Sequence, residues 1–197
     1  MTVPARRPRR HEPERRERIL ATALDVIAEV GVAGASLRAI AAAADVPLGS
    51  LTYHFGSQAG LRVAALTRYV EEMAARFDER MRAATDATEA LEELADHLVG
   101  DVGRPGRDLV VTVELYVAAA RRPALRAVTE DWMSRSRRSL ERHFDPVTAR
   151  QLDALVEGLL LHSALSTEPM DREQIRSALV RLAARPADDG IFRGAKE

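Results

Sequence analysis

The 197-residue chain contains no cysteine, one tryptophan and only 4% aromatic residues. The lack of cysteine excludes disulfide bonds and thiolate chemistry, and it fits a reducing cytoplasm. No run of 18 apolar residues occurs, so we expect no membrane span. The N-terminus has arginines but no apolar segment behind them, which argues against a secretory signal. These absences predict a cytoplasmic protein without a membrane partner.

Recognisable catalytic motifs are also missing. The sequence has no G-x-S-x-G, no glycine-rich phosphate loop and no H-E-x-x-H. Its five histidines are scattered, without metal-ligand spacing. We therefore predict no catalytic residue, no metal and no cofactor, although an all-helical enzyme stays open as an alternative.

Positive charge is concentrated near the N-terminus. Residues 1–58 hold eight arginines against six acids, net +2, whereas the remainder holds 21 basic against 24 acidic residues, net −3. Four of these arginines precede the first acid, Glu12. A short basic arm can lie along DNA phosphates or reach a minor groove. The alternative is a solvated terminus, and we expect residues 1–12 to be disordered.

The stretch from Ser36 to Phe55 predicts two short helices joined by a sharp turn. Apolar residues recur at helical spacing in the first helix, and Ser36 can cap it by accepting a free backbone N–H. Asp45 suits the turn because it tolerates positive φ. Pro47 suits a helix start, where a missing N–H costs nothing.

The second helix, from about Leu48 to Phe55, is predicted to bury Leu51 and Phe55 on one side. Its other side carries no acid, which suits an approach to phosphate oxygens. The outward residues are Leu48, Gly49, Ser50, Thr52, Tyr53 and His54. This pattern is typical of the helix-turn-helix that enters a major groove, although an ordinary helical hairpin gives the same pattern.

The run VPLGSLTYHFGSQAGL, Val46 to Leu61, closely resembles the pattern V-S-x-G-x-L-Y-x-H-F-x-S-K-x-x-L of the TetR family of transcriptional repressors. The resemblance is specific over residues 15–62 and looser around VEGLLLHSAL, Val156 to Leu165. It implies an all-α fold, in which an N-terminal three-helix helix-turn-helix domain precedes a helical domain for effector binding and dimerisation.

The resemblance carries DNA contacts over to particular positions of this chain. They are Ser36, Arg38, Pro47, Leu48, Gly49, Ser50, Thr52, Tyr53, His54 and Gln58. The chain departs from the family at Asp45, Pro47, Thr52 and Gln58, where Gly, Ser, Tyr and Lys are common. That lysine contacts a phosphate in the family, so Gln58 brings no charge to this contact.

The remaining stretches predict further helices around the helix-turn-helix. A first helix should run from about Pro13 to Val30, with Gly31 ending it. Its apolar stripe should consist of Leu20, Ala23, Leu24 and Ile27. A helix capped by Ser57 should extend to about Ala84, a rod of ~27 residues or ~40 Å. The last two long helices should start at Asp145 with Pro146 and at a capping box of Asp171 with Gln174. The expected domains are residues 1–58 for DNA binding, 59–186 for ligand binding and dimerisation, and 187–197 as a flexible tail.

The helix predicted over residues 108–121 is apolar nearly all round and should be central. Glu114 lies within it, and a buried acid needs a partner. We expect an ion pair with an arginine such as Arg121, and ligand recognition is the alternative.

Two further sets of residues are candidates in the second domain. The effector pocket candidates are Tyr69, Met73, Phe77, Tyr116, Trp132 and His162, each of which has a plain core position as its alternative. His162 lies among apolar residues in LLLHSAL, which predicts a buried setting. The dimer candidates on the last two long helices are Leu152, Leu155, Val156, Leu159, Ser163, Ile175, Leu179 and Leu182. Gly158 would let a partner helix approach closely.

Taken together, these patterns predict a TetR-like regulator that binds a palindromic double-stranded DNA operator as a homodimer. The predicted role is repression, relieved by a small-molecule effector whose identity the sequence does not indicate. Two alternatives stay open at this point, a DNA-binding architectural protein without an effector and an all-helical enzyme.

Overall fold

The computed structural model describes residues 12–100 and 106–184, and all regular structure in these ranges is helical. The basic arm, most of the loop before residue 107 and the predicted tail lie outside the described residues. The helices are α1 (Glu12–Gly34), α2 (Leu37–Ala43), α3 (Leu48–Phe55), α4 (Gln58–Ala83), α5 (Ala87–Gly100), α6 (Arg107–Ala119), α7 (Pro123–Leu140), α8 (Pro146–Leu165) and α9 (Arg172–Ala183). This architecture confirms the predicted all-α fold. Within the described ranges, none of the helices could cross a lipid bilayer.

The chain divides into two compact units. The first unit comprises the described residues up to Val70 together with Val110–Val128, and the second comprises Glu71–Leu109 and the described residues from Thr129 onward. This division differs from the boundary expected at residue 58. The difference arises because the start of α4 and most of α6 belong to the first unit, where Arg62 of α4 and Glu114 of α6 bond to the backbone between Val32 and Ala35.

The core of the first unit is built on the apolar stripe of α1. The four residues predicted for that stripe are each at most 1% exposed, namely Leu20, Ala23, Leu24 and Ile27. Ile40 of α2 and Leu51 of α3 are completely buried with them. Burying one such leucine or isoleucine contributes roughly 1.5–3 kcal/mol, which the short helices α2 and α3 could not supply alone.

Helix α1 breaks at Gly31, the residue expected to end it. Gly31 has φ +73° and ψ 166°, a conformation that L side chains rarely adopt. The chain then makes one more helical turn, in which the Ala35 N–H donates to the Gly31 carbonyl at 3.1 Å. We call residues 31–35 the connector, because they join the long part of α1 to α2.

Helix α6 is less central than its composition predicted. Val111 and Leu115 are completely buried, whereas Val110 is 40% and Val117 is 50% exposed. The prediction that this helix is central is therefore wrong for the side of α6 that carries Val110 and Val117. Glu114 is half-buried, and its carboxylate accepts a hydrogen bond from a backbone N–H, that of Val32, rather than an ion pair from Arg121.

The second unit contains α5, α8 and α9 packed together. Ile175 and Leu179 of α9 are buried, and so are Leu94 and Leu98 of α5. Around them, Arg172 donates to Glu92 at 2.9 Å and to Asp96 at 2.6 Å, and Arg176 pairs with Glu92.

Predicted caps begin the last two helices. Asp145 accepts from the Val147 and Thr148 N–H groups ahead of α8, and Asp171 and Gln174 form a complete capping box at α9. Each cap of this kind is worth about 1 kcal/mol and confirms a helix start predicted from the sequence.

Candidate nucleic-acid interface

Helix α2 starts with a side-chain cap. The Oγ atom of Ser36 accepts a hydrogen bond from the Ala39 N–H at 3.1 Å. This confirms the predicted cap and satisfies one of the N–H groups that the first helical turn leaves free. Because Ile40 and Ala41 turn into the core, Arg38 is left exposed on the opposite side of the helix.

Asp45 makes the turn between α2 and α3. Its φ of 51° is positive, as predicted, and the Val46 N–H donates to the Ala41 carbonyl at 3.1 Å to close the turn. Pro47 follows in an extended conformation, with φ −59° and ψ 140°, and is the N-cap residue of α3. The short turn therefore holds α3 at a defined angle to α2, as a helix-turn-helix requires.

The outward side of α3 carries the residues predicted to face DNA. Tyr53 is 77% exposed and Leu48 is 42% exposed, while Thr52 and Gly49 are also exposed. Ser50 and His54 are half-buried. A Cβ atom placed on Gly49 would meet no other atom within 4 Å, so the backbone there is open to close approach. This confirms the predicted orientation of α3 and leaves its DNA contacts as predictions.

Leu51 is the residue of α3 that anchors the helix to the core, with no exposed surface. Phe55 is only half-buried, although it was predicted to be inside. The guanidinium carbon of Arg16 lies 5.6 Å from the centre of the Phe55 ring, a cation–π distance. Arg16 belongs to α1, so its place beside the end of α3 could not be predicted from local sequence. It is an additional candidate for a phosphate contact.

Gln58, the first residue of α4, was predicted to contact DNA. Its Nε2 atom donates to the Ala35 carbonyl at 2.9 Å, so one of its two N–H bonds is used within the first unit. Arg62, one turn later, donates from one nitrogen to the carbonyls of Ala33 at 2.9 Å and Ala35 at 3.0 Å. Arg62 was not predicted as a site residue, because nothing in its local sequence indicates a contact with α1.

The effector pocket candidates occupy different environments. Tyr69 is buried, and its hydroxyl oxygen lies 2.8 Å from the Oγ1 atom of Thr112. Phe77 is buried with its ring centre 6.0 Å from that of His97. The half-buried members of the set are Met73, Tyr116 and Trp132.

His162 is exposed, although its apolar neighbours predicted a buried setting. That expectation is wrong because successive helical residues turn by about 100°, which places His162 on the side of α8 opposite to the buried Leu160 and Ala164. The existence of a pocket stays a prediction.

Most of the predicted dimer stripe is core. Leu152, Leu159, Ser163, Ile175 and Leu179 are all buried within the single chain. Their side chains leave little surface for a partner, and their place in a dimer interface stays a prediction. The periodicity marks the apolar side of α8 and α9, and that side packs inside the second unit.

The other members of the stripe stay available on the surface. Leu155, Val156 and Leu182 are half-exposed. A Cβ atom placed on Gly158 would meet no other atom within 4 Å. On α9, a shallow depression is lined by Glu173, Gln174, Ser177, Ala178 and Arg181.

Side chains that bind metals do not cluster in the described residues. No group of three or more His, Asp or Glu side chains within those ranges could hold a metal ion.

Two family models match the chain. Residues 19–65 match the N-terminal model described as bacterial regulatory proteins, tetR family, and residues 82–185 match a tetracyclin repressor-like C-terminal domain. The first match spans the helix-turn-helix. The second covers more than half of the chain.

Solved structures and a curated relative agree with these matches. The structure of the transcriptional regulator SCO7518 from Streptomyces coelicolor A3(2) is 52% identical, covers 88% of this chain and 100% of its own, and superposes with a TM-score of 0.81. The multidrug binding protein EbrR, solved with imidazole, is 41% identical, covers 95% of this chain and all of its own, and has a TM-score of 0.75.

EbrR has also been solved with ethidium, malachite green and proflavin. The HTH-type transcriptional regulator BetI of Ectopseudomonas mendocina is 29% identical over 175 residues, covering 84% of this chain and 89% of BetI. All of these proteins are regulators or ligand-binding relatives of regulators, which rules out the enzyme alternative. The chain belongs to the TetR family of bacterial transcriptional regulators.

Proposed function

We propose that the chain represses transcription by binding a palindromic operator as a homodimer and leaves the DNA when a small-molecule effector binds. The observation that carries this proposal is the exposed side of α3. Both Tyr53, which is aromatic, and Leu48, which is apolar, are large side chains of α3 that are exposed to solvent. A groove-reading helix needs such side chains outside, whereas an ordinary hairpin would bury them.

Charge on the helix-turn-helix supports DNA as the ligand. Between Val30 and Val70, Asp45 is the sole acidic residue of the sequence, and it lies in the turn rather than on α3. Arg38 is exposed on α2 and supplies a fixed positive charge. Phosphate contacts from such residues position a protein on the duplex, and contacts from α3 would read the bases.

We infer a dimer because one recognition helix reads only a few base pairs, so a single subunit would bind DNA weakly and with little specificity. Two copies related by a two-fold axis would place their α3 helices about 34–36 Å apart, or a multiple of that, on one side of the duplex. The half-exposed apolar residues of α8 and α9, with Gly158 between them, are the surface we assign to the partner. The core residues Leu152, Leu159, Ile175 and Leu179 leave little surface for a partner.

Similarity to EbrR supports a class of effector. Ethidium, malachite green and proflavin are all aromatic cations, and EbrR is about 40% identical to this chain in those complexes. We therefore propose aromatic cations as the first effectors to test. A DNA-bound regulator of this kind works in the cytoplasm.

Selection of bound duplexes from a random DNA pool tests the proposal. We expect a palindromic consensus whose half-sites are separated by about one helical turn or a multiple of it. Ethidium added to the complex should then lower the affinity for that duplex. Because ethidium also intercalates into DNA, malachite green and a scrambled duplex serve as controls. Recovery of no consensus would contradict operator binding, and a complex that resists every cation would favour the architectural alternative.

A further inference from the structure

The connector begins and ends with backbone groups that need partners. Gly31 interrupts α1, and the ends of a helical segment leave backbone groups without partners inside the helix. In the connector, the Val32 N–H at the start and the Ala33 and Ala35 carbonyls at the end are bonded to side chains. Val32 is 1% exposed and Ala35 is not exposed at all. Water cannot reach such positions freely, and an unpaired polar group there would be costly.

Glu114 of α6 supplies the acceptor at the start of the connector. Its Oε2 atom lies 2.7 Å from the Val32 nitrogen, which is 82 positions earlier in the chain. Among the described residues, no arginine or histidine forms an ion pair with Glu114. The same carboxylate lies beside Gly31, where an added Cβ atom would be 2.9 Å from Oε2. Glycine is needed there both for the positive φ and for the close approach of this carboxylate.

Arg62 and Gln58 of α4 supply the donors at the other end. Arg62 donates to the Ala33 and Ala35 carbonyls, and Gln58 donates to Ala35 as well. The charges match the polarity of a helical turn, since an acid lies at the N–H end and a cation at the carbonyl end. The connector is thus capped at both ends by side chains from two other helices of the first unit.

We propose that Glu114, Arg62 and Gln58 are positioning residues for DNA reading, which fix the connector and with it the angle between α1 and the helix-turn-helix. This inference rests on the proposed DNA-binding function. The connector leads directly into Ser36, the cap of α2, so a change in its path would rotate α2 and α3 together. Gln58 and Arg62 have this role because both donate hydrogen bonds to the connector. For Gln58, the role replaces the phosphate contact that the family resemblance implied.

Hydrogen exchange of the Val32 amide tests the capping directly, without DNA. In the full-length protein we expect Glu114→Ala to speed exchange at Val32 by about tenfold or more, because a hydrogen bond to a charged acceptor is lost. Glu114→Gln keeps an acceptor oxygen and should restore most of the protection. Glu29→Ala is the matched control, since it removes the same charge from an exposed position on α1. Unchanged exchange at Val32 in Glu114→Ala would overturn the inference.

Binding to the duplex recovered by selection tests the positioning role. Glu114→Ala and Arg62→Ala should weaken binding to that duplex by about tenfold, while binding to a scrambled duplex and the salt dependence stay as in the parent. A lower salt slope in Arg62→Ala or Gln58→Ala would mean that these residues contact phosphates, and would overturn the assignment. Equal loss on both duplexes would show a general folding defect and would also count against it.

The two measurements separate this inference from the proposed function. If faster exchange at Val32 leaves affinity for the selected duplex unchanged, DNA binding stands and the positioning role fails. If the parent selects no duplex, the proposed function fails and the positioning role falls with it. The exchange data would then still report whether Glu114 holds the connector.

Discussion

The hydroxyl oxygens of Tyr69 on α4 and Thr112 on α6 lie 2.8 Å apart in the buried interior of the first unit. Tyr69→Phe should lower the free energy of unfolding by about 1 kcal/mol, because the hydroxyl of Thr112 loses this partner. Adding Thr112→Val should recover part of that loss, since both polar groups are then removed. Denaturant unfolding of the two single variants and the double variant measures the coupling. Strictly additive losses would show that the hydrogen bond contributes no stability.

Arg38 is the exposed cation of α2, and we predict that it contacts a phosphate. Arg38→Ala should weaken binding to the selected duplex and to a scrambled one alike, and lower the salt slope by about one unit. The control is Arg121→Ala, which removes the same charge from an exposed position beyond α6. Titrations at several salt concentrations give the slopes. A slope for Arg38→Ala that matches the control would contradict the phosphate contact.

Leu48 is exposed at the start of α3, where its side chain can pack on a thymine methyl group but cannot hydrogen-bond to a base. Leu48→Arg should redirect preference toward guanine at one position per half-site, by about 1–3 kcal/mol. Leu48→Ala separates loss of the leucine from gain of the guanidinium, and should relax the preference without redirecting it. Selection from random DNA with each variant is the measurement. A parent consensus retained by both variants would show that Leu48 reads no base.

Gly158 of α8 provides a test of the dimer surface that spares the core. Because a Cβ atom there meets nothing within 4 Å, Gly158→Leu should leave the isolated chain folded, and leucine favours a helix more than glycine by about 1 kcal/mol. If a partner helix crosses at this point, the added side chain should separate the dimer. Gly158→Ala is the control with little added bulk. Sedimentation of both variants at micromolar concentration measures their oligomeric state. A Gly158→Leu protein that stays dimeric would show that the interface lies elsewhere.

Two aspartates of the second unit have pKa values shifted in opposite directions. The hydroxyl of Ser139 donates to Asp78 at 2.8 Å and lowers its pKa, with Arg142 assisting. Burial raises the pKa of Asp153, although Arg137 donates to it at 3.1 Å. Ionised Asp78 therefore adds stability above its unfolded pKa, and this stability is lost as pH falls through the folded value. The contribution of Asp153 is greatest below its unfolded pKa and is lost as pH rises through the folded value.

Substitution by asparagine should expose these opposite signs. Asp78→Asn should lower the melting temperature at pH 7 more than at pH 4, whereas Asp153→Asn should become less harmful, or stabilising, as pH rises over the same range. Thermal unfolding of the parent and both variants across this range is the measurement. Parallel pH profiles for the two variants would contradict the assigned shifts.

Features that depend on neighbours a few residues away were predicted correctly from the sequence. The cap of Ser36 on Ala39, the positive φ of Asp45 and the capping box of Asp171 with Gln174 each involve atoms within one helical turn. These residue types are favoured at helix caps and in positive-φ turns, so the local sequence was sufficient to predict these features.

The sequence by itself also determined the fold class, the apolar stripe of α1 and the outward side of α3, because helical periodicity and local chemistry define them. Only the tertiary structure decided what each apolar helix side packs against and which group each polar side chain bonds to. Leu159 and Leu179 are buried in the second unit, since periodicity marks a side of a helix as apolar without showing what that side packs against. Glu114 caps Val32 from 82 residues away, and Gln58 turns to Ala35, because backbone groups freed by the break at Gly31 must be satisfied by whichever side chains packing brings near.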